Sequence, residues 1–223
     1  MADDSLSDCA MPPPSQLLLD QLSPALRQLA LTGSVRRFAR KTRFISEGEE
    51  GTSIYIVLSG RVKAFSSDAD GKEFVFSTCG PGAILGEMAL DGHARSASVE
   101  ALTDVECAIV RIDALRGLIM RDPDFTMALI RTLIQRSRNT TTFARSLALE
   151  SAYERLVGLL HSLAVEQEGQ RIVPEPLSQQ DIAHRIGTSR DMVSKLFKEL
   201  RKGEYLSYEK KRITLLRDLP AKW

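Results

Sequence analysis

The sequence predicts an α+β chain: an N-terminal antiparallel β-roll of jelly-roll type, one long helix, and a C-terminal helix–turn–helix with a short β hairpin. Three observations carry that prediction. From Val35 to Ile112, short runs rich in Val, Ile, Phe and Tyr are broken by Gly and Asp at the spacing of an antiparallel roll. From Pro123 to roughly Glu150, small and apolar residues recur at intervals of three and four. From Leu177 to Leu200, two such periodic segments flank a Gly turn. A length of 223 residues accommodates one large domain or two modest ones.

Each element has its own signal. Residues 1–14, with Pro12, Pro13 and Pro14 in a row, read as a polar, mobile leader. Ser15 caps a helix running to about Leu31, with Leu17, Leu18, Leu22, Leu26, Leu29 and Ala30 on one stripe and Gly33 ending it. Ile54 to Leu58 is a buried strand, and Ser59-Gly60 turns the chain into Val62–Phe65. Asp70-Gly71 is a two-residue hairpin signal leading to Phe74–Phe76, and Pro81-Gly82 makes another turn. Ala97–Val99 and Val105–Val110 are the last strands of the roll. Pro123 then opens the long helix, whose stripe runs Ile130, Leu133, Ser137, Thr140, Ala144, Leu147, Ser151. Such a stripe on a helix leaving the β region calls for a partner: the same helix of a second subunit comes first, and packing on its own domain is the alternative. A helix from about Glu150 to Ala164 follows, then a polar connection from Glu166 to Pro176. The segment from Leu177 to Arg201 is helix, Gly187 turn and second helix, with Thr188 or Ser189 as the cap. Tyr205–Leu206 and Ile213–Leu215 close the chain as a hairpin, which makes this part a winged helix-turn-helix.

Composition excludes several function classes. Hydrophobic residues are 43% and charged residues 26%, and no apolar run approaches the length of a membrane span. The acidic start MADDSLSDCAMPPPSQ lacks the apolar core of a signal peptide, so the expected location is cytoplasmic. Cys9, Cys79 and Cys107 are far apart, and His93, His161 and His184 have no metal-site spacing. No metal, haem or iron–sulfur cluster is therefore expected, and Cys79 and Cys107 read as buried small hydrophobes. No P-loop and no nucleophile–base arrangement is present, so no enzyme is expected. The net charge of +1 hides an asymmetry: Ser178–Trp223 carries 11 Lys and Arg against 6 Asp and Glu, and the other 177 residues carry 19 against 23. A basic C-terminal quarter on an acidic chain suits a polyanion there.

Two constellations carry chemistry. In Ile84–Val99, a Gly86-Glu87 pair opening a short helical turn presents backbone N–H groups to a phosphate, and Arg95 with the Ser96 hydroxyl completes a single-phosphate site. Glu87, an acceptor, can take a ribose hydroxyl. In the second helix of the helix–turn–helix, Val193, Leu196, Phe197 and Leu200 face the core. Arg190, Asp191, Ser194, Lys195 and Lys198 are left outside, where a duplex can be read. Arg190 suits guanine O6 and N7, and Asp191 can accept from a cytosine amine.

The run Gly86-Glu87-Met88-Ala89 followed by Arg95-Ser96-Ala97 resembles the phosphate-binding cassette of cyclic-nucleotide-binding domains. With the long helix and the helix-turn-helix, residues 15 to 217 resemble the cAMP receptor protein and fumarate–nitrate regulator family of bacterial transcription factors. The resemblance implies divisions at 1–14 (leader), 15–121 (cyclic-nucleotide-binding sensor), 122–150 (dimerisation helix) and 151–223 (DNA-binding domain). It implies that Glu87 takes the ribose 2′-hydroxyl and that Arg95 and Ser96 hold the cyclic phosphate. Counting from Pro123, it places Thr140 and Thr141 against adenine in the dimer seam. It also implies a palindromic operator of double-stranded DNA, with Ser178, Gln179, Gln180 and Ser189 at phosphates. Asp191 and Lys195 stand where the family's reading pattern has Glu and Arg, so half-sites of the TGTGA type are expected in a relaxed form. RNA polymerase is an expected partner, and Glu166–Arg171 is either its contact or a solvated loop.

Only seven residues separate Glu87 from Arg95, fewer than cAMP-binding relatives usually have, and this leaves the ligand open. cAMP comes first, cyclic di-GMP second, and a protein active without nucleotide third. A rival of another class also stands: a cyclic-nucleotide-binding signalling module acting through protein contacts.

Overall fold

The computed structural model describes residues 16–69, 71, 73–167 and 169–220. The 1–14 leader, Cys9, the Ser15 cap and Asp70 of the hairpin turn lie outside the described residues. The chain divides into two compact units. One comprises the described residues up to 66 with 76–133, the other 67–75 with those from 134 onward.

The first unit opens with α1 (Gln16–Leu19) and α2 (Pro24–Leu31) where the sequence predicts one helix. Pro24 is the reason. It lacks an N–H and forces Ser23 into an extended conformation (φ −59°, ψ 152°), so the chain stops and restarts with Ser23 as the new cap. Strands β1 (Ser34–Phe38), β2 (Arg43–Ile45), β3 (Ser53–Ser59), β4 (Val62–Ser67), β5 (Glu73–Cys79), β6 (Ile84–Leu85), β7 (Ser98–Ala101) and β8 (Val105–Arg111) follow. They form two antiparallel sheets, ordered β1-β8-β3-β6 and β2-β7-β4-β5. The β-roll reading is thus observed.

The β3 run Ile54–Leu58 has no polar alternation because its sheet is covered on both faces. Ile54, Ile56 and Leu58, with Ala108 and Val110 of β8, pack under Leu26, Leu29, Leu115, Phe125 and Leu129. Val57, Val105 and Cys107 project to the opposite side, with Val62, Leu85, Val99 and Ala101. Burial pushes the Cys107 thiol up to about 12, so it stays protonated, while Cys79 is only half-buried.

Helix α3 (Ile112–Arg121), which the strand-rich texture of this region concealed, buries Ile112 and Leu115. It ends at Asp122, held extended (φ −127°, ψ 93°) by the following Pro123. The Asp122 carboxylate accepts from the Phe125 N–H at 2.9 Å and so caps α4 (Pro123–Leu149), 27 residues long.

The second unit contains the later part of α4, then α5 (Ala152–Leu163). A reciprocal cap between Ser151 and Glu154 opens α5 and separates the two helices. The polar connection expected over Glu166–Pro176 is in part a hairpin, β9 (Val165–Gln167) and β10 (Gln170–Val173), and β10 pairs with the final strand. Its signal was weak because β9 is exposed throughout and only Val173 is fully buried. Helix α6 (Gln179–Ile186) is capped by Ser178 and ends at Gly187 in the left-handed region (φ 64°). Helix α7 (Arg190–Lys202) starts from Ser189, whose hydroxyl accepts from the Met192 N–H at 3.2 Å. The hairpin of β11 (Leu206–Glu209) and β12 (Arg212–Leu215) completes a sheet ordered β11-β12-β10-β9. Leu156, Leu160, Ile182, Ile186, Val193, Phe197, Leu200 and Ile213 form one core beneath it. In the same unit, the Phe74 ring packs at 4.7 Å from that of Phe143 on α4.

Candidate functional site

The cassette lies in the first unit. After β6 the chain turns at Gly86, whose φ of 77° suits glycine, into a 3₁₀ turn over Glu87–Asp91. Glu87 is buried, and Ala89 belongs to the core cluster that holds Ile54 and Leu115. Across from this turn, Arg95 is held by its own backbone. Its N–H donates to the Glu49 carbonyl and its carbonyl accepts from the Gly48 N–H, both at 2.9 Å.

The Arg95 side chain is only 8% exposed. Its guanidinium donates to the Gly86 carbonyl at 2.8 Å and to the Ser53 carbonyl. Two glycines make the space. A Cβ on Gly86 would fall 2.1 Å from Arg95 Nη1, and one on Gly51 would fall 2.2 Å from Cζ. Arg95 forms no ion pair among the described residues. A guanidinium has five donors, so carbonyl oxygens can orient this one while leaving N–H groups and a full positive charge for an anion.

Ser96 and Met88 are exposed, with the Ser96 hydroxyl 3.1 Å from the Met88 sulfur, and Ala97 is half-buried. The structure therefore brings the buried Glu87 and Arg95 together around the half-buried Gly86. Gly51 and the Ser53 carbonyl also lie against the Arg95 guanidinium, and the sequence reading missed them. The signal for Gly51 was a glycine flanking a strand, which reads as a turn until Arg95 is seen against it.

Along α4 the apolar residues sort by face. Phe125 and Leu129 are buried, and Leu133, expected in an intersubunit stripe, is half-buried and packs in part against the same core. Met127, Ile130, Ile134 and Leu147 are exposed. Met127, Ile130 and Ile134, continued by Thr141, recur at three, four and seven, the spacing of a coiled-coil seam. Thr140 and Thr141 are both exposed, the Thr140 hydroxyl donating back to the Arg136 carbonyl at 3.0 Å.

In the second unit, the α6–turn–α7 segment presents the expected surface. Val193, Phe197 and Leu200 are buried, while Ser189, Arg190, Asp191, Ser194, Lys195 and Lys198 are exposed. The Ser178 hydroxyl lies 2.6 Å from the Asp181 carboxylate in the α6 cap, and the Gln180 amide meets the His184 ring. Gln179, Ser194, Phe197, Lys198, Arg201 and Lys202 line an open groove of about 490 Å³. Arg201 and Lys202 were not singled out from the sequence because they sit past the base-reading end of the helix. At the β11–β12 turn, Lys210 and Lys211 both adopt positive φ (48° and 67°), so the hairpin tip carries two adjacent cations. Among the described residues no group of three or more His, Cys, Asp and Glu is placed to hold a metal ion, and no helix is long and apolar enough to cross a membrane.

Residues 35–122 match the family described as cyclic nucleotide-binding domain, and residues 154–221 match the Crp-like helix-turn-helix domain. The chain is 30% identical to the cAMP-activated global transcriptional regulator CRP of Haemophilus influenzae, over 83% of this chain and 85% of that one. It is 31% identical to the CRP-like cAMP-activated global transcriptional regulator of Mycobacterium tuberculosis, over 80% and 82%. Among solved structures, the c-di-GMP-responsive global regulator CLP of Xanthomonas campestris is similar with a TM-score of 0.75 at 27% identity, covering 86% of this chain and 97% of that one.

Proposed function

The chain belongs to the CRP/FNR family of transcription regulators, and from that premise we propose that it is a homodimer whose binding to a palindromic DNA operator is gated by cAMP. Its membership makes it a cyclic-nucleotide-binding transcription regulator of the CRP type. The identity of the ligand, the form of the operator and the dimer are this proposal's own.

The observation that carries the proposal is Arg95: a buried cation, aimed by two backbone carbonyls, given room by two glycines and paired with no carboxylate among the described residues. A cyclic phosphate supplies the missing anion. Glu87 takes the ribose hydroxyl, Ser96 a phosphate oxygen, and Thr140 and Thr141 the base. The stretch 122–150 serves as the dimerisation segment, with Met127, Ile130 and Ile134 on the exposed face of α4 forming the seam. Arg190, Asp191, Ser194 and Lys195 read bases, and Ser178, Gln179, Gln180, Ser189 and Lys198 hold phosphates. RNA polymerase is a further proposed partner.

A second ligand has specific support. The similar structure from Xanthomonas campestris is of a c-di-GMP-responsive regulator, and the loop between Glu87 and Arg95 is short. The test is calorimetric titration of the protein with cAMP and with cyclic di-GMP in parallel. Binding of cAMP near one per subunit, lost in Arg95→Ala while far-UV circular dichroism is unchanged, is the expected result. Binding of cyclic di-GMP alone transfers the proposal to the second ligand. Binding of neither removes the sensor role of the cassette.

A further inference from the structure

The C-terminal end of α7 has a surface that base reading leaves without a role. Phe197 and Lys198 lie three and four residues after Ser194, and Arg201 and Lys202 three and four after Lys198, so the five share one face, and with Gln179 of α6 they line the groove of about 490 Å³. Phe197 is buried, while Lys198, Arg201 and Lys202 are exposed. Among the described residues none of these three cations forms an ion pair. Lys198 faces Arg201 at i+3 and Lys202 at i+4, and like charges at those spacings repel and weaken a helix. The helix dipole favours a cation in the last turn, which Arg201 and Lys202 occupy. That effect does not explain Lys198, a turn earlier, or the Gln179 side chain that joins them from another helix.

Helix geometry supplies the ligand. From Arg190 to Arg201 the helix rises eleven steps of 1.5 Å, about 16 Å. The major groove is about 12 Å wide, so with Arg190 against base edges Arg201 has passed the groove and stands over the sugar–phosphate wall. We propose that this groove seats a backbone phosphate flanking the half-site, and that Arg201 and Lys202 are DNA contacts beside Lys198 and Gln179. The inference rests on the reading of α7 as the base-reading helix. These two residues anchor the duplex without reading its sequence, because they meet phosphate alone.

The test is fluorescence anisotropy over a salt series, with a mixed-sequence duplex long enough to span two half-sites. For the Arg201→Gln/Lys202→Gln variant, the slope of log affinity against log salt becomes shallower by about one per residue removed, about two in all. The order of preference among duplex sequences stays the same. The charge-keeping Arg201→Lys/Lys202→Arg variant retains the parent slope. Where the double variant does not fold, each single Gln variant carries the test with a loss of about one. A folded variant with the parent slope overturns the inference and leaves the reading of α7 standing. A parent protein that binds no duplex overturns both.

Discussion

The cassette turns on the surroundings of Arg95. An arginine this buried needs partners for its donors, and the Gly86 and Ser53 carbonyls supply two of them without neutralising the charge. Gly51 keeps the other flank open, since a Cβ there would fall on Cζ and Nε at 2.2 Å. Gly51 has no positive φ, so alanine strains no backbone there and the side chain of Arg95 is what must move. Gly51→Ala is therefore expected to leave the melting temperature within a few degrees of the parent. It is expected to weaken nucleotide binding by roughly 10- to 100-fold, the worth of a charge-assisted hydrogen bond. Calorimetry and a thermal melt on the same variant check both halves. Unchanged affinity would remove Gly51 from the site. Gly86→Ala differs, because φ there is 77° and the substitution adds about 1–2 kcal/mol of backbone strain to the same displacement.

At the scale of elements, α4 presents two different apolar faces. Phe125, Leu129 and Leu133 tie it to its own core, whereas Met127, Ile130 and Ile134 are left exposed at heptad spacing. Replacing both Ile130 and Ile134 with Glu is expected to convert a dimer to a monomer in sedimentation equilibrium while the far-UV spectrum is retained; a persistent dimer would place the seam elsewhere. The three- and four-residue pattern on α4 was legible in the sequence, but the contact of Leu133 with its own core was not, because both faces are apolar and periodicity alone does not say which one meets that core. The β3 run and the two helices around Gly187 were legible because burial on both faces and a left-handed cap leave strong patterns in Ile54–Leu58 and Ile186–Ser189. The break at Ser23-Pro24 was legible in principle and was overridden by an apolar stripe that runs through it. The β9–β10 hairpin was not, since strands held by β12 on one side and exposed on the other need little apolar signal. In the cassette, Gly86, Glu87 and Arg95 were legible as a motif. Ser53 was not, because a backbone carbonyl leaves no mark on residue type.

For the whole molecule, the charge asymmetry and the two family matches divide the labour between a sensor region and a basic duplex-binding region. If ligand at the cassette changes affinity for DNA, thermodynamic linkage requires DNA to change affinity for the ligand by the same factor. That factor does not depend on which residues transmit it, so it tests the gating itself and is independent of any single contact. The decisive measurement is the complete binding square: operator affinity with and without cAMP, and cAMP affinity with and without operator, in one buffer at one salt concentration. Coupling of typical size is about 5- to 150-fold, and the account predicts a factor in that range, equal on the two sides of the square. Operator bound with the same affinity whether or not cAMP occupies the protein would contradict it and make this regulator a constitutive DNA binder.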